Sequence, residues 1–197
     1  MKQKELLALA RNTNTSDLIR EASIIRDKGH GSLVTYSPKV FIPLTHLCRD
    51  VCHYCTFAKT PKRISSPYMS VEEVVDSAKR AEALGCKEAL FTLGERPELR
   101  YSAARKALSN MGYETTLEYL KVASQAVIDN TGLLPHLNPG CMSLKEILEL
   151  RPISASMGMM LESSSKRLCE KGGPHYGSPD KDPKKRLATL DSAGKAK

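Results

Sequence analysis

The stretch THLCRDVCHYCTFAKT, residues 45–60, holds three cysteines within eight positions, at Cys48, Cys52 and Cys55. It follows directly on KVFIPLT (39–45), a short apolar run rich in residues that favour β-strands. The cysteines are therefore expected at the carboxyl end of a strand. The chain has three other cysteines, which are single and widely spaced and are expected to be small buried side chains: Cys86, Cys141 and Cys169.

Outward from this stretch, predicted strands and helices alternate along the chain. Further apolar, β-rich runs occur at 88–95, 133–140 and 153–162. The helices between the strands begin with the spacing of a capping box, in the pairs Ser70 and Glu73, Thr115 and Glu118, and Ser143 and Glu146. A last helix is predicted to begin at Pro183, to present Leu187 and Leu190 on one face and to end at Gly194.

Four strand–helix units with short connections predict an α/β fold with a parallel sheet. The strands are apolar runs without alternation, which predicts a sheet covered on both faces. A flavodoxin-like open sheet and a (βα) barrel both fit this pattern, and both place their sites at the carboxyl ends of the strands. Residues 1–32 are predicted to form a helical leader of one or two amphipathic helices, and residues 33–197 the βα domain.

The composition is that of a globular chain. Its 197 residues are 41% hydrophobic and 26% charged. Because it has neither a continuous run of about eighteen apolar residues nor the apolar centre of a signal peptide, the sequence predicts a cytoplasmic protein without a membrane partner. The 30 Lys and Arg are interleaved with 22 Asp and Glu, so the net charge of +8 predicts a solvated basic surface and no nucleic-acid partner.

The spacing Cys48-x3-Cys52-x2-Cys55 indicates metal chemistry, because clustered thiols in such a compartment rarely form disulfides. Three thiolates can hold three irons of a [4Fe–4S] cluster and leave the fourth iron open to a substrate or cofactor. The alternative is a non-enzymatic zinc module, a Cys3His site completed by His46 or His53. Spacing favours the cluster and leaves the zinc site open.

The cysteine loop, with Tyr54 just before the last cysteine, resembles that of the radical S-adenosylmethionine (SAM) superfamily. Four segments resemble more closely the CofG subunit or domain of the 7,8-didemethyl-8-hydroxy-5-deazariboflavin (FO) synthase family: VTYSPKVFIPLTHLCRDVCHYCTFA, FTLGERPELRY, GYETTLEYL and MLESSSKRLCEKGGPHYGSPDKDP. This likeness runs from about residue 33 to 193. It implies a radical SAM barrel, of which the chain would hold about the first four βα units.

The resemblance also implies an enzyme. CofG-type enzymes form FO in coenzyme F420 biosynthesis by radical cyclisation of 5-amino-5-(4-hydroxybenzyl)-6-(D-ribitylimino)-5,6-dihydrouracil, with release of ammonia. They use a [4Fe–4S] cluster and SAM, which yields a 5′-deoxyadenosyl radical. The implied partners are the CofH activity that supplies the substrate and an electron donor. Another radical SAM enzyme, of the CofH or menaquinone-pathway type, remains the alternative within the superfamily.

Site residues follow from the same resemblance. Cys48, Cys52 and Cys55 would bind the cluster, and six residues would contact SAM: Tyr54, Gly94, Glu95, Asn138, Glu162 and Lys181. Within that set, Tyr54 would pack near the adenine, Glu162 would bind the ribose hydroxyls and Lys181 the carboxylate. A lysine at the last position cannot form the bidentate clamp of an arginine. His136, inside the third strand, is expected to be a core histidine.

The resemblance ends before the later strands of a complete barrel. We therefore expect a C-terminally truncated form of the enzyme, with an exposed sheet edge where a fifth strand belongs. Full activity of the cyclase would then require the rest of the barrel.

Overall fold

A computed structural model describes residues 3–12 and 14–196, which form two compact units that divide after Tyr36. The first unit contains helices α1 (Gln3–Arg11) and α2 (Thr15–His30), as the sequence predicts for its amphipathic segments. Helix α2 begins at Asn14, whose side chain accepts a hydrogen bond from the amide of Asp17 at 3.3 Å. Neither helix buries a residue.

The second unit is built around a four-stranded parallel sheet in the order β1-β2-β3-β4. Its elements, in chain order, are β1 (Lys39–Ile42), α3 (Val71–Ala83), β2 (Glu88–Thr92), α4 (Ser102–Asn110), α5 (Thr116–Asn130), β3 (Leu134–Asn138), α6 (Leu144–Leu150), β4 (Ser156–Met157) and α7 (Pro183–Lys195). In a flavodoxin-like sheet the strand order reverses, because the chain adds strands first on one side of β1 and then on the other. Here each new strand lies beside the preceding one, always on the same side of β1. The sequential order confirms the barrel-type α/β fold.

Local sequence signals set the helix starts. The three predicted capping boxes, before α3, α5 and α6, are all present with both of their hydrogen bonds. At α3, for example, the amide of Glu73 donates to Ser70 Oγ at 3.2 Å and the amide of Ser70 donates to the Glu73 carboxylate at 2.8 Å. Each box satisfies two backbone N–H groups that the first helical turn leaves without partners.

The hydrophobic core lies on one face of the sheet. In β2, Ala89 and Phe91 are fully buried, whereas Glu88, Leu90 and Thr92 are partly exposed. The prediction of a sheet covered on both faces is therefore wrong, because helices cover one face and the side chains on the other are partly exposed. His136 of β3 is half-buried on that second face.

The polar contact of His136 lies across the sheet. Its Nδ1 is 2.7 Å from Ser156 Oγ, in register with it on β4. Partial burial lowers the pKa of His136. His136 therefore has a hydrogen-bond partner, but it lies outside the core.

The fourth strand is shorter than predicted. Strand β4 comprises only Ser156–Met157, whereas the apolar run predicts a strand over 153–162. A 3-10 turn with Pro152 precedes it and ends at Ile153. After Gly158, whose amide still donates to the carbonyl of Leu137 at 2.9 Å, the chain leaves the sheet. Residues 159–162 are therefore free to approach the site described below.

Helix α7 also differs from the prediction. Its buried residues are Pro183, Arg186 and Thr189, whereas Leu187 and Leu190 are 43% and 42% exposed. It also continues past the predicted stop at Gly194 to end at Lys195. The face of α7 that is buried therefore carries Arg186 and Thr189, which make polar contacts with Glu95 and with the amide of Met142, and not the two leucines. Across residues 3–12 and 14–196, none of the helices combines the length and hydropathy that crossing a bilayer requires.

Candidate active site

The cysteine loop, residues 45–60, leaves the carboxyl end of β1 and is fixed at its start. Leu44 and Leu47 are fully buried. Thr45 Oγ1 donates to the carbonyl of Pro67 at 2.7 Å and accepts from the amide of Leu47 at 3.1 Å. These contacts hold the backbone directly before Cys48, so the position of the first cysteine is set by the core.

The three cysteines of the loop line one cavity of about 270 Å³, and none forms a disulfide. Each sulfur has a hydrogen-bond contact: the amide of Glu95 with Cys48 at 3.2 Å, the Ser178 hydroxyl with Cys52 at 3.5 Å, and the amide of Ala58 with Cys55 at 3.5 Å. N–H and O–H groups directed at sulfur stabilise its anionic form. The loop is thus suited to present three thiolates to one ligand.

The donor set fits an iron–sulfur cluster better than a single metal ion. Within the part of the chain that the structure describes, no three His, Cys, Asp or Glu side chains are placed to hold one ion. In a [4Fe–4S] cluster each thiolate binds a different iron, so the sulfurs share a cavity without meeting at a point. The cysteine loop has that arrangement.

The two histidines of the zinc alternative lie elsewhere. His46 lines a different cavity, and its Nδ1 is 3.0 Å from the carbonyl of Phe57. His53 is exposed and does not line the cavity of the three cysteines. The geometry therefore gives no support to a Cys3His site.

Burial favours the protonated thiol form of Cys48 and Cys52 in the metal-free chain. It raises the pKa of Cys48 to about 11, against the lowering effect of the Glu95 amide. Burial also raises the pKa of Cys52 above its ordinary value. A metal that binds here must displace these protons, because the thiolate is the form that acts as ligand.

A second loop, residues 174–181, packs on the cysteine loop. Three backbone amides take part in this packing: that of His53 donates to the carbonyl of Pro174 (2.9 Å), that of Val51 to Ser178 Oγ (3.0 Å) and that of Asp180 to Asp50 Oδ1 (3.0 Å). Two contacts join side chains: Arg49 with Asp180 (3.0 Å) and Tyr54 OH with His175 Nε2 (3.1 Å). The conformation of the cysteine loop therefore depends on a segment more than a hundred residues away in sequence.

Each of the two loops contains a buried aspartate, and one carboxylate oxygen of each aspartate has no hydrogen-bond partner among the described residues. Asp50 and Asp180 are 4% and 3% exposed, and the oxygen in question is the Oδ2 of each. Asp50 lines the cysteine cavity, and burial raises its pKa. A buried, unsatisfied carboxylate oxygen requires a donor. A ligand in the cavity can supply one to Asp50.

Gly94 and Gly140 allow close backbone approach at the cavity. A Cβ built on Gly94 would lie 1.8 Å from the carbonyl oxygen of Leu47. At Gly140, where φ is +92°, a Cβ would lie 2.2 Å from the carboxylate carbon of Glu95. Neither site can accept a side chain, because the first neighbour is backbone and the second is a buried ion pair.

We expect Gly94→Ala to destabilise the chain by about 3 kcal/mol or more, since the new methyl group must displace the backbone that leads to Cys48. Urea unfolding of the metal-free chain measures this change. Gly194→Ala is the matched control, because Gly194 has open space around it within α7 and its stability should change by less than about 1 kcal/mol. Equal stability of the two variants would contradict the close approach at Gly94.

Glu95 is held by the protein on both carboxylate oxygens. Oε2 accepts from Arg186 Nη2 at 2.9 Å and Oε1 accepts from the amide of Cys141 at 2.6 Å. The side chains of Glu95 and Arg186 are 7% and 3% exposed. Arg186 also donates to the carbonyls of Asp180 (3.0 Å) and Met160 (2.6 Å). This buried pair joins the end of β2 to α7 at the floor of the cavity.

Glu162 and Lys181 pair with each other at the cavity wall, at 2.6 Å. Glu162 has a left-handed backbone with φ +63°, uncommon outside glycine, and it turns the chain where it has left β4. The Lys181 ammonium lowers the pKa of Glu162 against its partial burial. Both side chains line the cavity, so a ligand there meets a carboxylate and an ammonium together.

The structure brings all nine predicted site residues to the same cavity. Asn138, at the end of β3, lines it, as does Tyr54, which is 54% exposed. Burial raises the pKa of Tyr54 to about 12, so its hydroxyl is neutral near pH 7. Sequence reasoning missed Arg186, Asp50 and Gly140, which also line it. The sequence contains one signal for the burial of Arg186: it lies three residues after Pro183, and therefore on the same face of the first turn of α7.

Comparisons with known proteins agree with this geometry. The family model for the Radical SAM superfamily matches residues 42–196. The FO synthase of Mycobacterium tuberculosis is 51% identical over 201 residues, which cover 94% of this chain and 24% of that protein. The 7,8-didemethyl-8-hydroxy-5-deazariboflavin synthase of Methanopyrus kandleri is 48% identical over 165 residues, which cover 84% of this chain and 49% of that protein.

Solved structures show the same fold. The FeFe-hydrogenase maturase HydG from Carboxydothermus hydrogenoformans superposes with a TM-score of 0.72 at 24% identity, over 96% of this chain and 41% of that one. Methylornithine synthase (PylB) superposes with a TM-score of 0.69 at 19% identity, over 99% of this chain and 52% of that one. The chain thus spans between a quarter and a half of the length of the curated relatives named above.

Proposed function

Because the chain belongs to the radical SAM superfamily, we propose that it binds a [4Fe–4S] cluster and SAM and takes part in forming FO. The observation that carries this proposal is the single cavity that three free cysteines share with Asn138, Glu162, Lys181 and Arg186. The relatives named FO synthase indicate the product of the proposed reaction. When bound, the cluster and SAM supply a 5′-deoxyadenosyl radical that abstracts hydrogen from the substrate.

The three thiolates of Cys48, Cys52 and Cys55 hold the cluster in this proposal. The amide of Glu95 and the hydroxyl of Ser178 stabilise two of them, and the 174–181 loop fixes the backbone between them. Apolar side chains also line the cavity: Phe57, Leu93 and Met160, of which Met160 is 64% exposed.

Two cations are available for the carboxylate of SAM. A lysine has three N–H donors and Lys181 uses one of them on Glu162. Arg186 has five, of which Asp180, Met160, Met159 and Glu95 accept four. Lys181 therefore makes the direct contacts, and Arg186 adds a permanent charge and one free donor.

Other residues of the cavity can contact the ribose and the adenine of SAM. Glu162, which is ionised because its pKa is lowered, accepts from the ribose hydroxyls. Each oxygen of the Glu95 carboxylate already accepts from a protein donor, so its contribution is to position Arg186 and the amide that contacts Cys48. Gly94 and Gly140 let the Leu47 backbone and the Glu95 carboxylate pack closely at the cavity, and Tyr54 offers an aromatic face for the adenine.

The substrate proposed for the reaction is 5-amino-5-(4-hydroxybenzyl)-6-(D-ribitylimino)-5,6-dihydrouracil, supplied by a CofH-type activity. Because the relatives extend well beyond the aligned region, we place residues 33–197 in the N-terminal part of a larger barrel. The partly exposed face of the sheet, with Leu90 and His136 on it, is then the wall toward the substrate.

The test is anaerobic reconstitution of the chain with iron and sulfide, followed by reduction and addition of SAM and this substrate. We expect 5′-deoxyadenosine above the level without SAM from this chain, and FO from a longer chain that includes the rest of the barrel, both quantified by mass spectrometry. Formation of 5′-deoxyadenosine without FO by the longer chain would retain the radical chemistry and contradict this substrate. A colourless chain with stoichiometric zinc would contradict the proposal as a whole.

A further inference from the structure

The cysteine loop borders a second cavity that the proposed function does not use. This depression, of about 250 Å³, is lined by the three cysteines and by Lys59, Thr60, Arg100 and Tyr101, with Asp50, Val51 and Ala58 between them. The SAM-side residues Glu162, Lys181 and Arg186 line only the first cavity. The second depression shares the three cysteines, Asp50 and Ala58 with the first cavity. It differs from the proposed SAM site in being lined also by Val51, Lys59, Thr60, Arg100 and Tyr101.

The surface around this second depression is strongly basic. Lys59 and Arg100 line it and are exposed, and Lys62 and Arg63 follow Lys59 in a short 3-10 turn. Among the ion pairs of residues 3–12 and 14–196, none includes these four side chains. We call these four residues the basic patch.

Carboxylates near the basic patch are otherwise occupied. Glu73 shares a different cavity with Lys59 and Arg63, but its carboxylate accepts from the amide of Ser70 at the start of α3. Asp50 is 4% exposed and accepts from the amide of Asp180. A hydrogen bond from an amide does not cancel the charge of a carboxylate, so the patch is net positive because its four cations outnumber these two carboxylates.

Two residues of the patch, Arg100 and Lys59, are held by hydrogen bonds to the cysteine loop. The Arg100 guanidinium donates to the carbonyl of Arg49 at 3.1 Å and lies 5.0 Å from the ring centre of Tyr101. Lys59 is tied to the loop by its amide, which donates to the carbonyl of His46 at 2.9 Å. Cys55, four residues before Lys59, is exposed. A partner on the patch would therefore be held directly beside a cluster ligand.

We propose that the basic patch is the docking site for an acidic one-electron carrier protein, and that electrons enter the cluster through the Cys55 side of the loop. This inference rests on the proposed function, which requires a reduced cluster. In the step, the carrier loses one electron and the cluster gains it, and no bond is formed or broken. Encounters that transfer electrons use small interfaces and gain their rate from opposite charge, which matches a compact patch.

The experiment reverses two charges of the patch that make no ion pair. The test variant is Lys59→Glu with Lys62→Glu, and the matched control is Lys79→Glu with Lys121→Glu, exposed lysines on α3 and α5 with the same net change. Arg100 is left in place because its contact to Arg49 supports the loop. Reduced flavodoxin is the acidic carrier, and photoreduced 5-deazariboflavin is a small uncharged reductant.

The first readout is binding of flavodoxin to the metal-free chain by calorimetry at low ionic strength, which requires no cluster. The second is the rate of cluster bleaching by each reductant. We expect the test variant to lower both the affinity and the flavodoxin rate by about tenfold, an effect that added salt removes. Its bleaching by deazariboflavin and both properties of the control should stay within about twofold of the unmodified chain.

Equal losses in the test and control variants, or a loss that salt does not change, would overturn the docking site. So would a patch that binds single-stranded RNA and not flavodoxin. A chain that holds a cluster but shows none of the expected differences contradicts only this inference. A chain that binds flavodoxin through the patch but never holds a cluster contradicts the proposed function instead.

Discussion

A Cys52→Ala chain should hold almost no [4Fe–4S] cluster after reconstitution, whereas the unmodified chain should retain one. Among residues 3–12 and 14–196, three cysteines line the cavity, so loss of one removes a third of the proposed protein ligands. Cys52 is also the cysteine whose sulfur contacts Ser178 of the loop that packs on the site. Iron and acid-labile sulfide per chain, with visible absorbance, measure the result.

Cys86→Ala is the matched control for that experiment. Cys86 follows α3 and packs against the hydrophobic core, away from the cavity. Its removal should leave the iron content unchanged, and circular dichroism should show the same helix content for both variants. Iron retained in the Cys52→Ala chain, or lost equally in both, would contradict the three-cysteine site. The zinc alternative predicts instead that a His46→Ala or His53→Ala chain loses its metal.

The sequence was sufficient to predict the parts of the fold that depend on neighbours in the chain. The capping box of Ser70 and Glu73 acts within one helical turn, so its residues alone determine where α3 begins. The strand ends were predictable for a similar reason, since Gly94 and Asn138 each follow a short apolar run. Parallel strands then bring their carboxyl ends to one edge, which explains why the predicted residues share a cavity.

The sequence did not predict which face of a strand or helix is buried. Leu90 and Phe91 are both apolar, and only the packing of helices on one side of the sheet decides that Phe91 is buried. In α7 the apolar spacing favours Leu187 and Leu190, yet Arg186 is the buried side chain because Glu95 lies opposite it. Glu95 is 91 positions away in sequence. No local pattern encodes that partnership.

Lys181 and Arg186 also differ in burial in a way that their local sequence does not predict. Both lie in a run of charged residues that resembles a solvated surface when it is read as sequence. In the fold, α7 places Arg186 at 3% exposure on the floor of the cavity, while Lys181 reaches the wall from the preceding turn. A buried arginine whose donors are nearly all satisfied is a fixed feature of the site.

Arg186→Met should therefore destabilise the metal-free chain by about 3–5 kcal/mol, because it leaves the buried carboxylate of Glu95 without its counter-charge. Lys181→Met is the matched control. It removes a cation from a more exposed pair, whose side chains are 14% and 27% exposed, and should cost about 1 kcal/mol or less. Urea unfolding followed by circular dichroism measures both changes.

A double variant separates the ion pair from simple loss of packing. Glu95→Gln alone leaves Arg186 buried and unpaired, so it should cost nearly as much as Arg186→Met. The combined Glu95→Gln and Arg186→Met chain contains neither buried charge, and it should be more stable than the sum of the single losses predicts, by about 1–3 kcal/mol. Strict additivity of the two losses would show that Glu95 and Arg186 contribute independently, and the floor of the cavity would then owe its stability to packing alone.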